Sequence, residues 1–480
     1  MRYSRLAYLA KMCRTLLEAA EYLDCAEKDA PARAELLQNG RVMLGQLQTE
    51  LTRHREDLRS DRPLGYLTAV ERAWETGGKE RSEALEKLIE CLPEDVHYQV
   101  RAVFFTGLGS TWDAMESVWA AMRDDPRFDP VVVLIPILRQ HERNGKTEEE
   151  VLYEDYLTPM GVPFREYTQY SLEEDCPDLA FTNQPYEGSL RMDYWPEIIA
   201  GKTRLVYLPY YLSNVVEGMT RKALCEEPIH RCAWRVICST EKEYRYYCRC
   251  AANGGANGLL AGLPKLDHLA GLRERGVPLP PGWECLEGKK VFLWNSWYIM
   301  NHSSLMKFEE IFRWFAEHPD CALIWRPHPM TEAVTKLHYP KDYQNYLEYV
   351  RRVREAPNML LDQDISYEAA FYYSHALISD YSSLLPQYLL MDRPALWMKA
   401  GAEVWRFTGE EFIDSGWMEQ TEGLSETLEF LEQIRRGEDR KAELRQTIRA
   451  RDMAWADGHA GERLCGVLWQ ELQKEDFGIW

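Results

Sequence analysis

The chain has 480 residues, which is too long for one compact core and indicates about three domain-sized units. Its apolar share of 45% and its charged share of 28% are typical of a globular protein rather than a disordered one. The 57 basic and 77 acidic residues give a net charge of −20. This charge argues against a general nucleic-acid-binding surface and against attraction to anionic lipid, while a local basic pocket for one phosphorylated ligand is still allowed.

Compartment and metal content can be read from the N-terminus and the cysteines. Charges at Arg2, Arg5, Lys11 and Arg14 interrupt any apolar run before it reaches the length of a signal peptide. No stretch approaches the ~18 consecutive apolar residues of a membrane span. We therefore expect a cytoplasmic protein with 12 reduced cysteines. The histidine and cysteines within 230–250 lack the spacing of zinc ligands, so we expect neither a metal nor another cofactor.

Residues 1–97 are predicted to form helices. Apolar residues recur every three to four positions over 6–20 and 36–51, and a third, shorter helix is indicated over 85–89. This region contains no catalytic constellation. We interpret it as a helical appendage through which the chain forms a homo-oligomer or binds a partner.

Short apolar runs rich in β-branched and aromatic residues begin at about residue 98. Strands are predicted at 100–107, 130–138, 164–170, 177–184, 203–212 and 236–240, with a helix at 112–125. Strands that alternate with helices or long connections favour a parallel sheet covered on both faces.

The same pattern starts again after 262–290, a stretch with the proline- and glycine-rich composition of an interdomain linker. Strands are predicted at 291–296, 321–329, 359–363, 376–380 and 394–398. We therefore expect two doubly wound α/β domains, 98–262 and 263–423, that face a cleft. Two helices within 424–480 are expected to pack back on these domains.

The segment 377–398 carries the first candidate site. An apolar strand ends at Asp380, and Ser382 and Ser383 stand where a helix should begin. Because a helix N-terminus has unsatisfied N–H groups and a positive dipole end, serines placed there can bind a phosphate. The alternative is that one serine is an ordinary N-cap, worth about 1 kcal/mol.

The segment 322–333 carries the second candidate site. A predicted central strand is followed by Arg326 and His328 on a loop stiffened by two prolines. A guanidinium and an imidazole on one rigid loop suit an anionic oxygen. The alternative is a loop histidine that faces solvent.

These two segments, in this order and spacing, resemble the CDP-glycerol glycerophosphotransferase family, the enzymes that build teichoic-acid-like polymers. The resemblance is carried by RPHP at 326–329, ISDYSS at 378–383 and DRP at 392–394. GLPKLDHL at 262–269 is similar to the segment that opens the C-terminal domain of the family. Weaker similarity extends over roughly 100–400.

The resemblance implies a GT-B fold, in which the first Rossmann-like domain lies on the acceptor side and the second binds a nucleotide donor. It also implies that His328, Ser382 and Ser383 contact the donor pyrophosphate. We assign Arg326 and Asp380 to the same phosphate site.

Two departures from the family pattern bear on the chemistry. Gln387 stands where many members have an acidic residue for the ribose hydroxyls, and LPYYLSN at 208–214 stands where many have a Trp-His-Gly-Thr segment. The histidine of that segment is a candidate base, whereas Tyr210 and Tyr211 cannot act as bases near neutral pH. Asp113, in the turn after the first predicted strand, is the alternative base, unless it only complements the dipole of its helix.

A further loop, 295–304, occupies the analogous position in the second domain. His302, Ser303 and Ser304 there either touch the donor phosphate or cap the helix that follows. We include Ser303 among the predicted phosphate ligands.

The leading hypothesis is a cytoplasmic transferase at the inner face of the cell membrane that needs no metal. It would move a phosphoglycerol-like or other phosphoalditol group from a CDP-linked donor to a hydroxyl of a cell-envelope glycan or glycolipid. Its catalytic residues would be His328 and Asp113. Two alternatives stay open: a GT-B glycosyltransferase that uses a nucleotide sugar, and a nucleotide-binding scaffold protein that has lost its base.

Overall fold

The architecture is taken from a computed structural model, in which two parallel sheets are covered by helices. The structure describes residues 1–25, 31–143, 146–212, 221–298, 303–380, 382–399 and 411–478.

A first sheet occupies the N-terminal half of the chain. The described residues between 100 and 260 form nine strands: β1 (Val100–Thr106), β2 (Phe128–Leu134), β3 (Ile137–Arg143), β4 (Lys146–Leu152), β5 (Phe164–Glu166), β6 (Leu179–Thr182), β7 (Arg204–Tyr207), β8 (Arg235–Cys238) and β9 (Gly258–Leu260). Seven of them make one parallel sheet in the order β5-β2-β1-β6-β7-β8-β9, and β3 pairs with β4 as an antiparallel hairpin. All seven residues of β1 are buried, as expected for a strand covered on both faces.

A second sheet follows after residue 289. In the part of the chain that the structure describes, it has six strands: β10 (Lys290–Ser296), β11 (Cys321–Pro327), β12 (Met359–Leu361), β13 (Ala376–Ser379), β14 (Ala395–Met398) and β15 (Glu419–Thr421). They are all parallel, in the order β12-β11-β10-β13-β14-β15. In each sheet the order runs from the third strand in the sequence through the second to the first. The fourth strand then pairs with the other side of the first, so the strand order reverses there. This is the doubly wound order, and ligands bind at the carboxyl ends of the strands where the order reverses.

Helices fill both faces of the sheets. The helices of the first half are α1 (Tyr3–Cys25), α2 (Pro31–Arg53), α3 (Arg62–Ala73), α4 (Lys79–Asp95), α5 (Asp113–Asp124), α6 (Leu172–Asp175), α7 (Pro196–Ala200), α8 (Pro228–Cys232) and α9 (Glu241–Cys250). Those of the second half are α10 (Leu272–Arg275), α11 (Glu310–Glu317), α12 (Thr331–His338), α13 (Pro340–Glu355), α14 (Glu368–Tyr373), α15 (Leu384–Tyr388), α16 (Leu424–Arg435), α17 (Ala442–Asp452) and α18 (Ala460–Phe477).

The N-terminal helices share a core with the first sheet. The apolar face of α1 is buried in the same cluster as β1 and α18. The Tyr3 hydroxyl donates to the Leu472 carbonyl over 2.7 Å, and the Ser4 N–H donates to the Asp178 carboxylate over 2.9 Å. The apolar face that suggested an appendage therefore packs within the chain itself, and four helices stand where three were predicted.

The C-terminal region contains three helices rather than the predicted two. α16 and α17 pack against the second sheet and its connections, whereas α18 crosses back and packs against α5 and α1 of the first half. The segment 262–290, predicted as a linker, is instead packed into the second core through buried leucines including Leu263, Leu266 and Leu269.

The predicted class, α/β with two doubly wound sheets and a helical N-terminal region, is confirmed. The domain boundaries at 97/98, 262/263 and 423/424 stay predictions.

Candidate active site between the two sheets

The strand order of the second sheet reverses between β10 and β13. A buried asparagine connects the ends of the strands at this point. Ser382 donates its hydroxyl proton to Asn295 Oδ1 over 2.8 Å, and Asn295 Nδ2 donates to the Arg326 carbonyl over 2.9 Å. Asn295 is 4% exposed. It joins the DYSS turn to the loop of His328, so the two segments predicted to form one site do lie together. Sequence reasoning missed Asn295, although a polar residue near the end of an apolar strand was a visible signal.

Asp380 faces the loop after β10. Its buried carboxylate accepts hydrogen bonds from the N–H groups of Trp297 at 2.7 Å and Ser304 at 3.0 Å. Burial raises the pKa of Asp380 to about 6, against the opposing effect of these hydrogen bonds. Its observed contacts therefore hold the loop after β10, and a contact with phosphate stays a prediction.

Ser303 is buried beside Asp380 and caps the following turn. Its hydroxyl lies 3.4 Å from the Asp380 carboxylate and accepts the Leu305 N–H over 3.2 Å. Of the two roles predicted for this loop, the structure places Ser303 in the capping role. His302 and Tyr381 lie outside the described residues.

His328 follows β11 and has a defined tautomer. The Met330 N–H donates to His328 Nδ1 over 3.1 Å, so the neutral ring carries its proton on Nε2. The ring also lies against Tyr298, with 4.6 Å between the ring centroids. Burial lowers the pKa of His328 to about 4, which keeps the ring neutral at pH 7. His328 therefore offers an uncharged N–H donor.

Arg326 is directed toward the loop after β12. Its guanidinium pairs with Asp362 over 2.6 Å and donates to the Asp364 carbonyl over 2.6 Å. Both terminal nitrogens are thus engaged in holding that loop, and the side chain is 8% exposed. The structure brings Arg326 to the site through its backbone rather than through its charge.

Ser383 begins α15, and its hydroxyl makes no capping bond. Its carbonyl accepts Gln387 Nε2 over 2.7 Å, and Gln387 Oε1 accepts the Tyr367 hydroxyl over 2.6 Å. Gln387 is fully buried. Gln387, which stands where many family members have an acidic residue, therefore makes its hydrogen bonds to other residues of the protein.

Asp113 lies at the start of α5, at the edge of the first sheet, and reaches the second half of the chain. Its Oδ2 accepts the ammonium of Lys265 and lies 3.2 Å from the Tyr367 hydroxyl, while Oδ1 is buried without a partner. The Tyr367 hydroxyl, whose one proton goes to Gln387 Oε1 at the shorter distance, thus places the Ser383–Gln387 pair next to the predicted base.

The turn that carries Asp113 is held close to its own sheet. Asn183, after β6, donates to the Thr111 carbonyl over 2.8 Å. A Cβ on Gly107 would lie 2.5 Å from the Ile137 side chain and 2.8 Å from the Ile135 carbonyl. The glycine at position 107 therefore lets this turn pack closely against residues 135–137.

His268 is a second residue that sequence reasoning missed. Its ring lies 5.5 Å from the Tyr367 ring, in a T-shaped arrangement, and within electrostatic range of Asp113 and Lys265. Burial lowers the pKa of His268 to about 4. In the sequence, His268 directly follows the GLPKLD segment, and this position is the signal that could have identified it.

The place of the Trp-His-Gly-Thr segment is taken by aromatic side chains. Tyr210 and Tyr211 follow β7 with their ring centroids 5.0 Å apart. Burial raises the pKa of both phenols, in agreement with the expectation that neither is a base near neutral pH.

Metal and membrane features were searched over the same described ranges. There, no group of three or more histidine, cysteine, aspartate or glutamate side chains could hold a metal ion. None of the described helices is both long and apolar enough to span a bilayer.

Solved structures are similar to this chain in fold. The S. aureus MnaA–UDP structure is 12% identical with a TM-score of 0.51, over 78% of this chain and 97% of that one. A UDP-N-acetylglucosamine 2-epimerase structure is 12% identical with a TM-score of 0.50, over 78% of this chain and 96% of that one. A structure of the wall teichoic acid polymerase TagF is 12% identical with a TM-score of 0.49, over 87% of this chain and 99% of that one. No curated protein matches the chain.

The two facing doubly wound sheets, with α18 crossing back to the first, define a protein of the GT-B class. Residues 237–470 match the model of the CDP-glycerol:poly(glycerophosphate) glycerophosphotransferase family. This stretch contains the RPHP loop, the DYSS turn and the GLPKLD segment. Over this stretch, which is just under half of the chain, the protein is similar to CDP-glycerol glycerophosphotransferases.

Proposed function

We propose that the enzyme transfers a phosphoglycerol or related phosphoalditol group from a CDP-linked donor to a hydroxyl of a cell-envelope glycan or glycolipid. The observation that supports this most directly is the neutral His328, with its Nε2–H free of the Met330 contact, beside the Asn295–Ser382 pair. A family match over 237–470 supports the reaction type. We place the reaction at the cytoplasmic face of the membrane, where a glycolipid acceptor would be presented.

The proposed reaction is an in-line displacement at the β-phosphorus of the donor. The acceptor oxygen forms a bond to this phosphorus, and the bond from the phosphorus to the bridging oxygen breaks. CMP leaves with the electron pair. Negative charge grows on the leaving phosphate, and hydrogen-bond donors fixed at that position lower the barrier.

The hydrogen-bond donors at this position differ in whether they already have a partner within the protein. Among the described residues, neither the His328 Nε2–H nor the Ser383 hydroxyl has a hydrogen-bond partner. The Ser382 hydroxyl already donates to Asn295, so it must exchange that partner for a phosphate oxygen. Arg326 would act by joining the end of β11, which leads to His328, to the loop after β12.

The proton of the acceptor hydroxyl is assigned to Asp113. Lys265 and Tyr367 hold Oδ2, which leaves Oδ1 as the oxygen that accepts the proton. A buried oxygen without a partner gains most from a hydroxyl that donates to it. Asp113 thus acts as an oriented base.

A nucleotide panel tests the proposal. Thermal shifts of the purified chain are compared for CDP-glycerol, CDP-ribitol and UDP-glucose, and nucleotide release is then measured with the best ligand. A ligand at 100 times its Kd stabilises the folded state by about 2.7 kcal/mol, and we expect a CDP-linked alditol to give the largest shift. Largest stabilisation by the UDP-sugar would instead indicate the glycosyltransferase, and binding without any release would indicate the scaffold protein.

A further inference from the structure

Four tyrosines follow strands at the carboxyl edges of the two sheets, and one of them lies against His328. Tyr186 follows β6, Tyr210 and Tyr211 follow β7, and Tyr298 follows β10, so all four stand at carboxyl ends of strands. Each is half-buried. We call these four residues the tyrosine cluster.

The tyrosine cluster joins the two halves of the chain. The Tyr210 and Tyr211 rings are in contact, with 5.0 Å between their centroids, and the phenols of Tyr186 and Tyr298 both lie within electrostatic range of Tyr210. Tyr298 in turn lies 4.6 Å from the ring of His328. The cluster therefore extends from the first sheet to the proposed phosphate site.

The cluster is uncharged. Burial raises the pKa of all four phenols, so each keeps its proton at neutral pH. Within the described part of the chain, no lysine or arginine contributes to the electrostatic surroundings of Tyr186, Tyr210 or Tyr298, whereas Glu227 acts on Tyr186.

We propose that the tyrosine cluster is the acceptor subsite and that it binds an uncharged sugar rather than the phosphate-bearing end of a polymer. Phenol hydroxyls both donate and accept hydrogen bonds, as sugar hydroxyls do, and aromatic faces pack against the apolar faces of sugar rings. Recognition of a phosphate group would call for arginine or lysine at this position. The net charge of −20 further disfavours a polyanionic acceptor. The inference rests on the proposed function, because it names the acceptor of that reaction.

Two matched acceptors test the inference. One is an uncharged alkyl disaccharide glycoside, and the other is the same glycoside with a glycerol phosphate unit on its terminal sugar. Calorimetry gives their dissociation constants, and the nucleotide-release assay gives the KM of acceptor and donor. The variants are Tyr210→Ala, Tyr210→Phe and the control Tyr8→Ala, whose side chain is 50% exposed on α1.

We expect the parent to bind the uncharged glycoside at least tenfold more tightly than the charged one. Tyr210→Ala should raise the dissociation constant and the KM of the uncharged glycoside at least tenfold, with less than a twofold change in donor KM. Tyr210→Phe should raise them about threefold, and it carries the test if Tyr210→Ala does not fold. Tyr8→Ala should bind as the parent does.

Tighter binding of the charged glycoside, or parent-like binding of the uncharged one by folded Tyr210 variants, overturns the inference even where CDP-linked donors turn over. A parent that binds the uncharged glycoside through Tyr210 but releases nucleotide from no CDP-linked donor refutes the proposed function and leaves the sugar subsite standing.

Discussion

The His328 ring accepts a hydrogen bond from the Met330 N–H and lies against Tyr298, and these contacts decide what it offers to a phosphate. Because burial lowers its pKa to about 4, the ring is neutral above pH 5 and its Nε2–H is a donor without a charge. Such a donor strengthens as negative charge develops on the leaving group. It does not depend on protonation near neutral pH.

The first prediction concerns replacement of this donor. His328→Ala should lower kcat about a hundred- to a thousandfold, the usual cost of losing one preorganised donor, and His328→Gln should recover part of the loss through its amide N–H. In the parent, kcat/KM should not fall between pH 6 and pH 8 through loss of a proton from His328. Steady-state kinetics over this range measure both effects. His459→Ala, at a 65% exposed side chain, is the control.

A decline of parent kcat/KM with rising pH that His328→Gln abolishes would mean that the ring acts as a cation. Parent-like turnover by His328→Ala would remove His328 from the site altogether.

Residue types alone could not separate phosphate ligands from anchors at this site. Asp380 and Ser303 have the chemistry of a polar site, but their observed partners are the loop N–H groups of Trp297, Ser304 and Leu305. Serine and aspartate at a strand-to-helix turn suit both roles, and only the direction of the side chain separates them. The position of His328 next to the DYSS turn was predictable, because neighbouring parallel strands end at one edge.

At the scale of elements, the GLPKLD segment joins the two halves of the chain. Gly262 adopts a φ of +83°, and a Cβ there would lie 2.5 Å from the Trp455 carbonyl. Lys265 reaches Asp113 at the start of α5. The Asp267 carboxylate accepts the N–H groups of Ala460 at 3.0 Å and Gly461 at 2.8 Å, which caps α18. One short segment thus fixes the base and the crossing helix.

The second prediction concerns this cap. Asp267→Ala should lower the stability of the chain by about 1–2 kcal/mol, because two N–H groups at the start of α18 lose their acceptor. Urea denaturation followed by circular dichroism measures the shift in midpoint. The matched control is Asp61→Ala, because Asp61 also precedes a helix but makes no capping bond. Equal midpoints for the two variants would contradict the capping role.

Helices and strands could be predicted from the sequence where their apolar residues follow one regular pattern. The central strands are continuous apolar runs, and parallel strands buried on both faces require them. The β3–β4 hairpin was missed because charged residues fill its sequence. β9 was missed because it begins with a glycine and has only two apolar residues, and β15 because its three residues are all polar. The GLPKLD segment has the composition of a linker, yet its glycine and proline serve a packed turn. Composition does not tell a mobile connection from a buried one.

At the scale of the whole molecule, buried ionisable groups make stability depend on pH in two opposing ways. Burial lowers the pKa of four histidines, His230, His268, His328 and His375, to about 4, and raises the pKa of Asp178 and Asp380 to about 6. Below pH 6.5 the unfolded histidines take up protons that the folded ones refuse, so stability falls as pH falls. Between about pH 6 and pH 4 the folded aspartates hold protons that the unfolded ones release, so their contribution to stability rises as pH falls.

The third prediction follows from this balance. Near pH 5 each of the four histidines lowers stability by up to about 1.4 kcal/mol per unit of falling pH, and each of the two aspartates opposes this by a similar amount, so stability should fall between pH 6.5 and pH 5. Asp178→Asn removes one opposing group and should steepen the dependence by about one proton, whereas His230→Gln should reduce it by about one proton. Urea midpoints measured at half-unit steps of pH give these slopes, with His459→Gln as the exposed control. Slopes that do not move in opposite directions in Asp178→Asn and His230→Gln would show that these buried groups do not set the pH dependence. The two variants lie in the first half of the chain, where Asp178 holds the start of α1 and His230 lies against Tyr207, so neither change touches the proposed phosphate site.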